Sequence, residues 1–343
     1  MKLVMTLLVR DEADIVDAQL AYHLHAGVDH VIAMDHGSSD GTTEILERYQ
    51  RAGVLTLLRE PAAELRQAEW VTRMARLAAT ELGADWVINA DADEFWWPCG
   101  GSLKDVLGSI PRRFGVVRGC WRHFVPRSDD DSFFAERMTV RLAAPAHPGA
   151  KETIFHAHQK VAHRAHQAVE VAAGNHDASA PGVEPLRFWY PLEVLHFSFR
   201  SVAQLERKAR APWLRSTAFE PTLHQVRLDE AYRSGRLQDF YDSFAIDDEA
   251  LRQGLADGSL AVDVRLRDAL RTLRDEQGAF ALAVVGGRLS FPRSTAAEAA
   301  EYAAEAAILV DIDGIVRAEE RVRALESRLE ALERGPLHRL ARR

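Results

Sequence analysis

Cysteine and long apolar runs are scarce in this sequence of 343 residues. The two cysteines, Cys99 and Cys120, cannot form a disulfide framework and fit no paired zinc motif, so a reducing cytoplasm is the expected location. No window approaches the roughly eighteen consecutive apolar residues of a membrane-spanning helix. A formal net charge of −8 provides no basic field for nucleic acid. The 47% of hydrophobic residues are nevertheless enough to bury a core.

Several cofactor and metal fingerprints are also missing. The sequence has neither Gly-x-Gly-x-x-Gly nor Gly-Lys-Ser/Thr, which excludes the dinucleotide-binding loop and the phosphate loop of ATPases. Six of the fourteen histidines lie between His147 and His176, but no cysteine partner or His-Glu-x-x-His spacing accompanies them. We therefore expect most of these histidines on exposed faces of short strands.

The stretch from Trp86 to Phe95 joins an apolar run to the carboxylates of Asp91, Asp93 and Glu94. An extended backbone would send Asp91 and Asp93 to the same side, where their mutual repulsion would be relieved by a divalent cation. Mn²⁺ or Mg²⁺ are the expected ions, because both prefer oxygen ligands and keep positions open for phosphate. The alternative is a solvated acidic turn without a metal.

Apolar runs and amphipathic segments alternate through the first part of the chain. Leu3 to Val9, His30 to Met34 and Val54 to Leu58 read as strands. Helices are predicted after each strand, the second capped by Thr42 and the third covering about Gln67 to Leu82. This alternation predicts an α/β fold with a mostly parallel sheet and helices on both faces. The polar residues that follow the strands should then meet at one sheet edge.

Three blocks in order carry a family resemblance: Arg10-Asp11-Glu12, Asp35-His36-Gly37-Ser38-Ser39-Asp40-Gly41-Thr42, and Asp91-Ala92-Asp93-Glu94-Phe95. They resemble the family 2-like glycosyltransferases with a Rossmann-like GT-A fold, in the bacterial branch that reads Arg-Asn-Glu at the first block. The resemblance covers roughly residues 1 to 210. Asp11 stands where Asn is usual, which leaves the base of the donor open.

The resemblance implies a nucleoside-diphosphate-sugar donor, with a UDP-sugar expected, and a divalent metal on its diphosphate. Glu12 and Asp35 would contact the base or ribose, and Asp91 and Asp93 the ribose and metal. The remaining donor-binding candidates in these blocks are Arg10, Ser38 and Asp40.

Later segments supply further candidates. In Gly174-Asn175-His176-Asp177 a glycine turn presents an imidazole, and similar enzymes place a late metal ligand in such a position, so His176 is predicted as a ligand. The alternative is a turn histidine bonded to backbone. Arg200 and Lys208, near a helix that Ser201 can cap, are predicted to neutralise the diphosphate, unless they form a solvated basic face.

The catalytic base that would deprotonate the acceptor is not assigned by the sequence to one carboxylate. Glu94 and Asp177 are the leading candidates, and Glu152 is a further alternative.

Three regions are predicted: a nucleotide-sugar-binding and catalytic domain over 1–210, a helical acceptor-side extension over 211–293, and a C-terminal helix over 294–343. The last contains a short coiled-coil seam with members Ile315, Val322, Leu325, Leu329 and Leu332. The seam would pair two chains as a homodimer or pack on its own domain. The basic end of the chain would suit peripheral contact with anionic lipid at the inner membrane face.

A metal-dependent, hexosyltransferase-like enzyme acting on a hydroxyl acceptor follows from these features, with a glycan, a lipid-linked molecule or a small molecule as acceptor. The alternative is a non-catalytic nucleotide-sugar-binding scaffold that recruits partners through its coiled coil, which the intact acidic motif disfavours. A nucleotidyltransferase would be expected to carry a glycine-rich loop after the first strand, and residues 10–14 are not such a loop.

Overall fold

One mixed β-sheet organises the part of the chain that the computed structural model describes. That part comprises residues 1–61, 64–130, 132–143, 155, 158–186, 192–215, 223–275, 279–280, 289 and 291, with the single positions 322, 325 and 328.

The strands are β1 (Leu3–Val9), β2 (His30–Asp35), β3 (Leu55–Arg59), β4 (Trp86–Asp91), β5 (Glu94–Pro98), β6 (Phe114–His123), β7 (Val140–Leu142), β8 (Gln159–Arg164), β9 (Glu170–Val171), β10 (Ala178–Ser179), β11 (Glu184–Pro185), β12 (Leu192–His196) and β13 (Leu260–Val262). The α-helices are α1 (Val16–His25), α2 (Thr42–Arg51), α3 (Gln67–Thr80), α4 (Leu103–Gly108), α5 (Phe134–Arg137), α6 (Val202–Arg210), α7 (Leu223–Arg233), α8 (Leu237–Asp242), α9 (Asp248–Asp257) and α10 (Arg265–Leu273). Two 3₁₀ turns cover Ala173–Asn175 and Pro212–Arg215.

The main sheet runs in the order β3-β2-β1-β4-β8-β6-β12-β5, with β11 beside β6. The first four strands are parallel, as expected for strands joined by crossover helices. Strand β8 then runs antiparallel to both of its neighbours, and β5 runs antiparallel at the far edge. The predicted α/β class and mostly parallel sheet are confirmed.

Strand β1 shows how the sheet is covered on both faces. Leu3, Met5 and Leu7 belong to the same buried cluster as α1 and α2, whereas Val4 belongs to a second cluster with Trp70 of α3. Successive side chains of a strand point to opposite faces, so a continuous apolar strand requires a helix layer on each side. The predicted helices on both faces are therefore confirmed.

The acidic stretch departs from the extended strand that the sequence predicts. Strand β4 ends at Asp91, Ala92 and Asp93 form a turn, and Glu94 begins β5. The aromatic residues after the turn pair with β12, Phe95 opposite Leu195, and burying them as a separate strand outweighs continuing β4. The prediction that an extended backbone carries Asp91 and Asp93 is wrong.

The start of α2 also differs from the prediction. Thr42 is not the cap: Gly41, with a φ of 102°, holds the N-cap position, and the Asp40 carboxylate accepts from the backbone N–H of Thr42 at 3.1 Å. The Thr42 hydroxyl instead accepts from the backbone N–H of Glu12 at 2.9 Å, joining the first two polar blocks. The other predicted cap, Ser201 on α6, is confirmed.

The helices after α6 dock on the sheet through buried charges. The Glu193 carboxylate on β12 accepts from Arg122 at 2.6 Å and from Arg265, the first residue of α10, at 2.8 Å. Both Glu193 and Arg122 are only 3% exposed at the side chain. Two arginines around one buried carboxylate satisfy it and hold its pKa below the usual range despite burial.

Helices α7 to α10 lie within residues 211–293, where the sequence predicts a helical acceptor-side extension, and the division into regions stays a prediction. Tyr241 is fully buried there, and Phe240 and Phe244 pack around it. Phe219, the side chain of Trp213 and nearly all of residues 294–343 lie outside the described residues. In the predicted seam, Val322 and Leu325 are helical and exposed. No helix in the described ranges has the length and apolarity to cross a bilayer.

Candidate active site

A cavity of about 400 Å³ lies beyond the carboxyl ends of β1 and β4 and reaches α6 and α7. Its lining includes seven predicted site residues: Arg10, Glu12, Asp91, Asp93, Glu94, His176 and Lys208. Five other predicted residues do not line it: Asp35, Ser38, Asp40, Asp177 and Arg200. The fold thus brings the first polar block and the acidic turn to one cavity at the sheet edge.

Three side chains in this cavity could hold a metal ion. One ligand atom from each of Asp93, Glu94 and His196 lies within 4.8 Å of the others, the single such group among the described residues. Two carboxylate oxygens and an imidazole nitrogen suit Mn²⁺ and other borderline divalent ions. The donor set therefore fits the metal that the sequence predicts, with His196 as a member that the sequence analysis did not name.

The charges around Asp93 keep it ionised. Lys208 Nζ lies 3.2 Å from one carboxylate oxygen, and Arg200 Nη1 lies 3.9 Å from the same atom. Burial alone would raise the pKa of Asp93, but the positive charges of Lys208 and Arg200 lower it well below the usual range. Asp93 is thus a carboxylate at neutral pH.

His196 is prepared as a neutral ligand. Its ring is stacked on Trp121 with 4.2 Å between centroids, and its Nδ1 lies 3.2 Å from Nδ1 of His123. Burial lowers the pKa of His196 well below its ordinary value, despite the nearby Asp93 charge. A neutral imidazole is the form that coordinates metals.

Glu94 is held by three partners. Trp121 Nε1 donates to it at 2.9 Å, the backbone N–H of Asp91 at 3.1 Å, and Lys160 Nζ lies 2.9 Å away. Burial, with help from the charges of Asp91 and Asp93, raises the pKa of Glu94 to about 8 against the effect of Lys160. Its predicted role as catalytic base stays a prediction.

Asp91 contacts residues that the sequence did not single out. One carboxylate oxygen accepts from Lys160 Nζ at 2.5 Å, and the other accepts from Asn175 Nδ2 at 3.1 Å. Lys160 stands alone in β8 without any motif around it. Only the antiparallel pairing of β8 with β4 reveals its place in the site.

His176 is bonded to backbone, as the alternative interpretation expects. Its Nδ1 lies 2.8 Å from the carbonyl oxygen of Gln159, and its ring is stacked on His158 at 3.4 Å. A Cβ at Gly174 would come within 2.4 Å of this ring, so the turn requires glycine there. His176 lines the cavity but does not belong to the group of Asp93, Glu94 and His196, and its role as a metal ligand stays a prediction.

Arg200 has its donors occupied inside the fold. With 1% of its side chain exposed, it donates to Asp14 at 2.8 Å, to the Phe197 carbonyl at 3.0 Å, and to Glu12. Burial of Glu12 raises the pKa of its carboxyl group, although the charges of Arg200 and Lys208 oppose the shift. Contact between Arg200 and a diphosphate stays a prediction, and these bonds disfavour it.

The predicted donor-binding residues of the second block hold loops together. Asp35 accepts from the backbone N–H of Ser38 at 2.9 Å, and the Ser38 hydroxyl accepts from that of Asp11 at 3.1 Å. Asp40 likewise accepts from Ala13 N–H at 3.0 Å. Asp11 needs this support, because its φ of 52° is uncommon for a residue with a side chain.

Asp177 lies apart from the cavity. It forms an ion pair with Arg118 at 3.0 Å, and 41% of its side chain is exposed. Glu152, the further alternative for the base, lies outside the described residues. Of the predicted bases in the described part of the chain, Glu94 alone lines the cavity.

Comparison with known proteins gives a family similarity for the part of the chain that forms this cavity edge. Residues 6–113 match the model of glycosyltransferase family 92, and this range contains the first polar block and the acidic turn. No curated protein sequence matches the chain.

Solved structures resemble the chain only distantly. S. aureus TarS 1-349 in complex with UDP is 11% identical over 74% of this chain and 78% of its own, with a TM-score of 0.33. The mannosyltransferase PcManGT from Pyrobaculum calidifontis, in complex with GDP-Man and Mn²⁺, is 15% identical over 79% of both chains, with a TM-score of 0.32.

A third similar structure is glucosyl-3-phosphoglycerate synthase from Mycobacterium tuberculosis, in complex with Mn²⁺, UDP and glucosyl-3-phosphoglycerate. It is 19% identical over 37% of this chain and 44% of its own, with a TM-score of 0.23. Likeness this distant carries no conclusion about substrate. The family 2-like assignment stays a prediction. Residues 6–113 are similar to glycosyltransferase family 92.

Proposed function

We propose that this protein is a metal-dependent glycosyltransferase that moves a sugar from a nucleoside-diphosphate-sugar donor to a hydroxyl acceptor. The convergence of Asp93, Glu94 and His196 in a cavity that Lys208 also lines carries the proposal. The family 92 similarity of residues 6–113 supports it independently.

The donor diphosphate needs positive charge at the acidic turn. Asp93 and His196 would hold the divalent cation, with Glu94 beside them, and the bound cation would neutralise charge on the departing diphosphate. Lys208 supplies a second cation: its ammonium lies 3.2 Å from Asp93 and 3.6 Å from Glu12, and its side chain is 34% exposed. A flexible lysine with a partly exposed side chain can turn its ammonium from these carboxylates to a phosphate oxygen.

The acceptor hydroxyl would lose its proton to a carboxylate facing the cavity. Among the candidate bases in the described part of the chain, Glu94 is the one that lines the cavity. With a divalent cation beside it, Glu94 would be ionised despite the burial that raises its pKa to about 8. An ionised carboxylate has about four acceptor sites, so its three partners leave one for a hydroxyl. The rest of the wall includes the apolar residues Phe199, Ala211, Leu214 and Leu228, next to which the acceptor would lie.

The finer proposals rest on the sequence. Transfer of a hexose from a UDP-sugar follows from the family resemblance, and Mn²⁺ or Mg²⁺ as the working ion from the acidic motif. The three predicted regions, a cytoplasmic location that can include the inner membrane face, and pairing of two chains through residues 294–343 follow from composition and apolar periodicity.

Nucleoside diphosphate binding is expected to depend on a divalent cation, because the carboxylates at the acidic turn repel a bare diphosphate. Calorimetric titration of UDP and GDP should give affinity in Mn²⁺ at least about tenfold higher than in EDTA. Slow hydrolysis of the matching sugar nucleotide in Mn²⁺ would confirm transferase chemistry. Equal affinity in EDTA would remove the metal from the proposal.

His196→Ala should weaken Mn²⁺ binding more than His176→Ala does. Removing a coordinating nitrogen costs at least the roughly 10- to 100-fold typical of the groups that orient ligands, whereas His176 is bonded to backbone. Calorimetric Mn²⁺ titrations of both variants test this, with His166→Ala as the matched control. A larger loss from His176→Ala would restore the late-ligand hypothesis made from the sequence.

A further inference from the structure

Lys160 brings a buried positive charge into the acidic turn. Its side chain is 2% exposed, and its ammonium lies 2.5 Å from Asp91 Oδ2, 2.9 Å from Glu94 Oε1 and 2.6 Å from the Gly174 carbonyl oxygen. An ammonium has three N–H donors, so these three acceptors saturate it. The ring of Trp121, 5.2 Å away, covers it further.

The two lysines of the site differ in how they are held. Lys160 has short contacts to two carboxylates and a carbonyl, and is almost fully enclosed. Lys208 is 34% exposed and lies 3.2 Å and 3.6 Å from its carboxylate partners. Lys208 can leave its partners at the lower cost, because Arg200 stays beside both Glu12 and Asp93, and a buried charge without a partner is costly.

The acidic turn is divided by these contacts. Both oxygens of Asp91 are bonded, one to Lys160 and the other to Asn175. Asp93 contacts neither Lys160 nor Asn175 and belongs with His196 to the candidate metal site. The nearest cation to Asp93 is instead Lys208, 3.2 Å away, which can turn from it, so Asp93 is the aspartate of the turn that is open to a divalent ion.

We infer that Lys160 is a built-in cation that neutralises Asp91 and Glu94 and limits the site to one divalent ion, centred on Asp93 and His196. Lys160 is a positioning residue in this role, and Asp91 is not a metal ligand. The inference rests on the proposed function for the meaning of the metal. It also explains how Asp93 and Glu94 can be buried beside the partly buried Asp91, since a positive charge is buried with them.

Replacing Lys160 by methionine removes the charge and keeps an unbranched side chain of similar length. Without nucleotide, the full-length Lys160→Met protein should bind Mn²⁺ about tenfold tighter than wild type or take a second equivalent in calorimetry. The midpoint temperature of thermal unfolding of Lys160→Met should be lower than that of wild type in EDTA and should return toward it in Mn²⁺. A lysine that served only packing would not raise metal affinity when removed.

Two companions make the result specific. Lys160→Met combined with Asp91→Asn should return Mn²⁺ affinity toward the wild-type value, because the paired charges are removed together. Lys104→Met, which breaks a partly exposed pair with Asp29, should leave it unchanged. Wild-type or weaker Mn²⁺ binding by folded Lys160→Met would overturn the inference.

Asp91→Asn and Asp93→Asn test the same division if Lys160→Met does not fold. Asp91→Asn should retain at least about tenfold more Mn²⁺ affinity than Asp93→Asn, since only Asp93 is assigned as a ligand. Equal losses would make Asp91 a ligand and overturn the inference. Because no nucleotide is present, these results stand apart from the UDP and GDP titrations that test the proposed function.

Discussion

Asp93→Asn is expected to reduce sugar-nucleotide turnover by at least about a thousandfold, because the metal supplies several kcal/mol of charge stabilisation in the transition state. The fold should persist. The amide has nearly the shape of the carboxylate. Lys208 still has Glu12 as a partner at 3.6 Å, and Arg200 retains its bonds to Asp14 and Glu12. Donor hydrolysis in Mn²⁺ and thermal unfolding are the two measurements.

Asp248→Asn is the matched control for this substitution. Asp248 is 85% exposed, pairs with Arg127 and lies far along the chain from the acidic turn. Turnover by Asp248→Asn should therefore match that of wild type. Normal turnover by Asp93→Asn would show that the reaction proceeds without this carboxylate and would contradict the proposed metal site. Loss of both turnover and cooperative unfolding would instead assign Asp93 a structural role.

The parallel half of the sheet could be predicted from sequence because its signal is local. Leu3–Val9 and Trp86–Asp91 are continuous apolar runs, which arise when helices cover a strand on both faces. The polar residues that follow each run lie at the same sheet edge for the same reason. Parallel strands connected by helices all point one way, so their carboxyl ends meet there.

The turn at Asp93 could not be predicted because distant residues determine it. Phe95 and its neighbours pair with β12, which lies about a hundred residues further along the chain, and that pairing decides where β4 stops. His196 enters the site through the same pairing, opposite Glu94. It did carry the local signal used elsewhere, a polar residue at the end of an apolar strand, and could have been named.

Lys160 carried no such signal. It belongs to a strand whose residues alternate weakly, and its two acidic partners lie more than sixty positions earlier. Which isolated lysine neutralises an acidic turn depends on strand order, and strand order is a property of the whole sheet. The same limit explains Arg200, whose bond to Glu12 spans 188 positions.

Arg200→Met should lower the free energy of unfolding by about 3–5 kcal/mol, the usual cost of removing one partner from a buried ion pair. Glu12 would remain buried with only Lys208 near it, and Asp14 would keep only Arg207. The lost hydrogen bond to the Phe197 carbonyl adds to the effect. Urea unfolding at neutral pH measures it, and a change below about 1 kcal/mol would contradict it.

The pH dependence of this variant identifies the source of the loss. Arg200 helps to hold the pKa of Asp14 below its ordinary value, so that contribution exists above pH 3.8 and disappears as the pH falls through the lower folded value. Burial raises the pKa of Glu12, and removing Arg200 raises it further, so acid favours the folded variant by protonating this carboxyl. The difference in the free energy of unfolding between wild type and Arg200→Met should therefore become smaller as the pH falls. Arg210→Met, which removes an exposed pair with Glu206 at the end of α6, should change stability by less than about 1 kcal/mol at every pH.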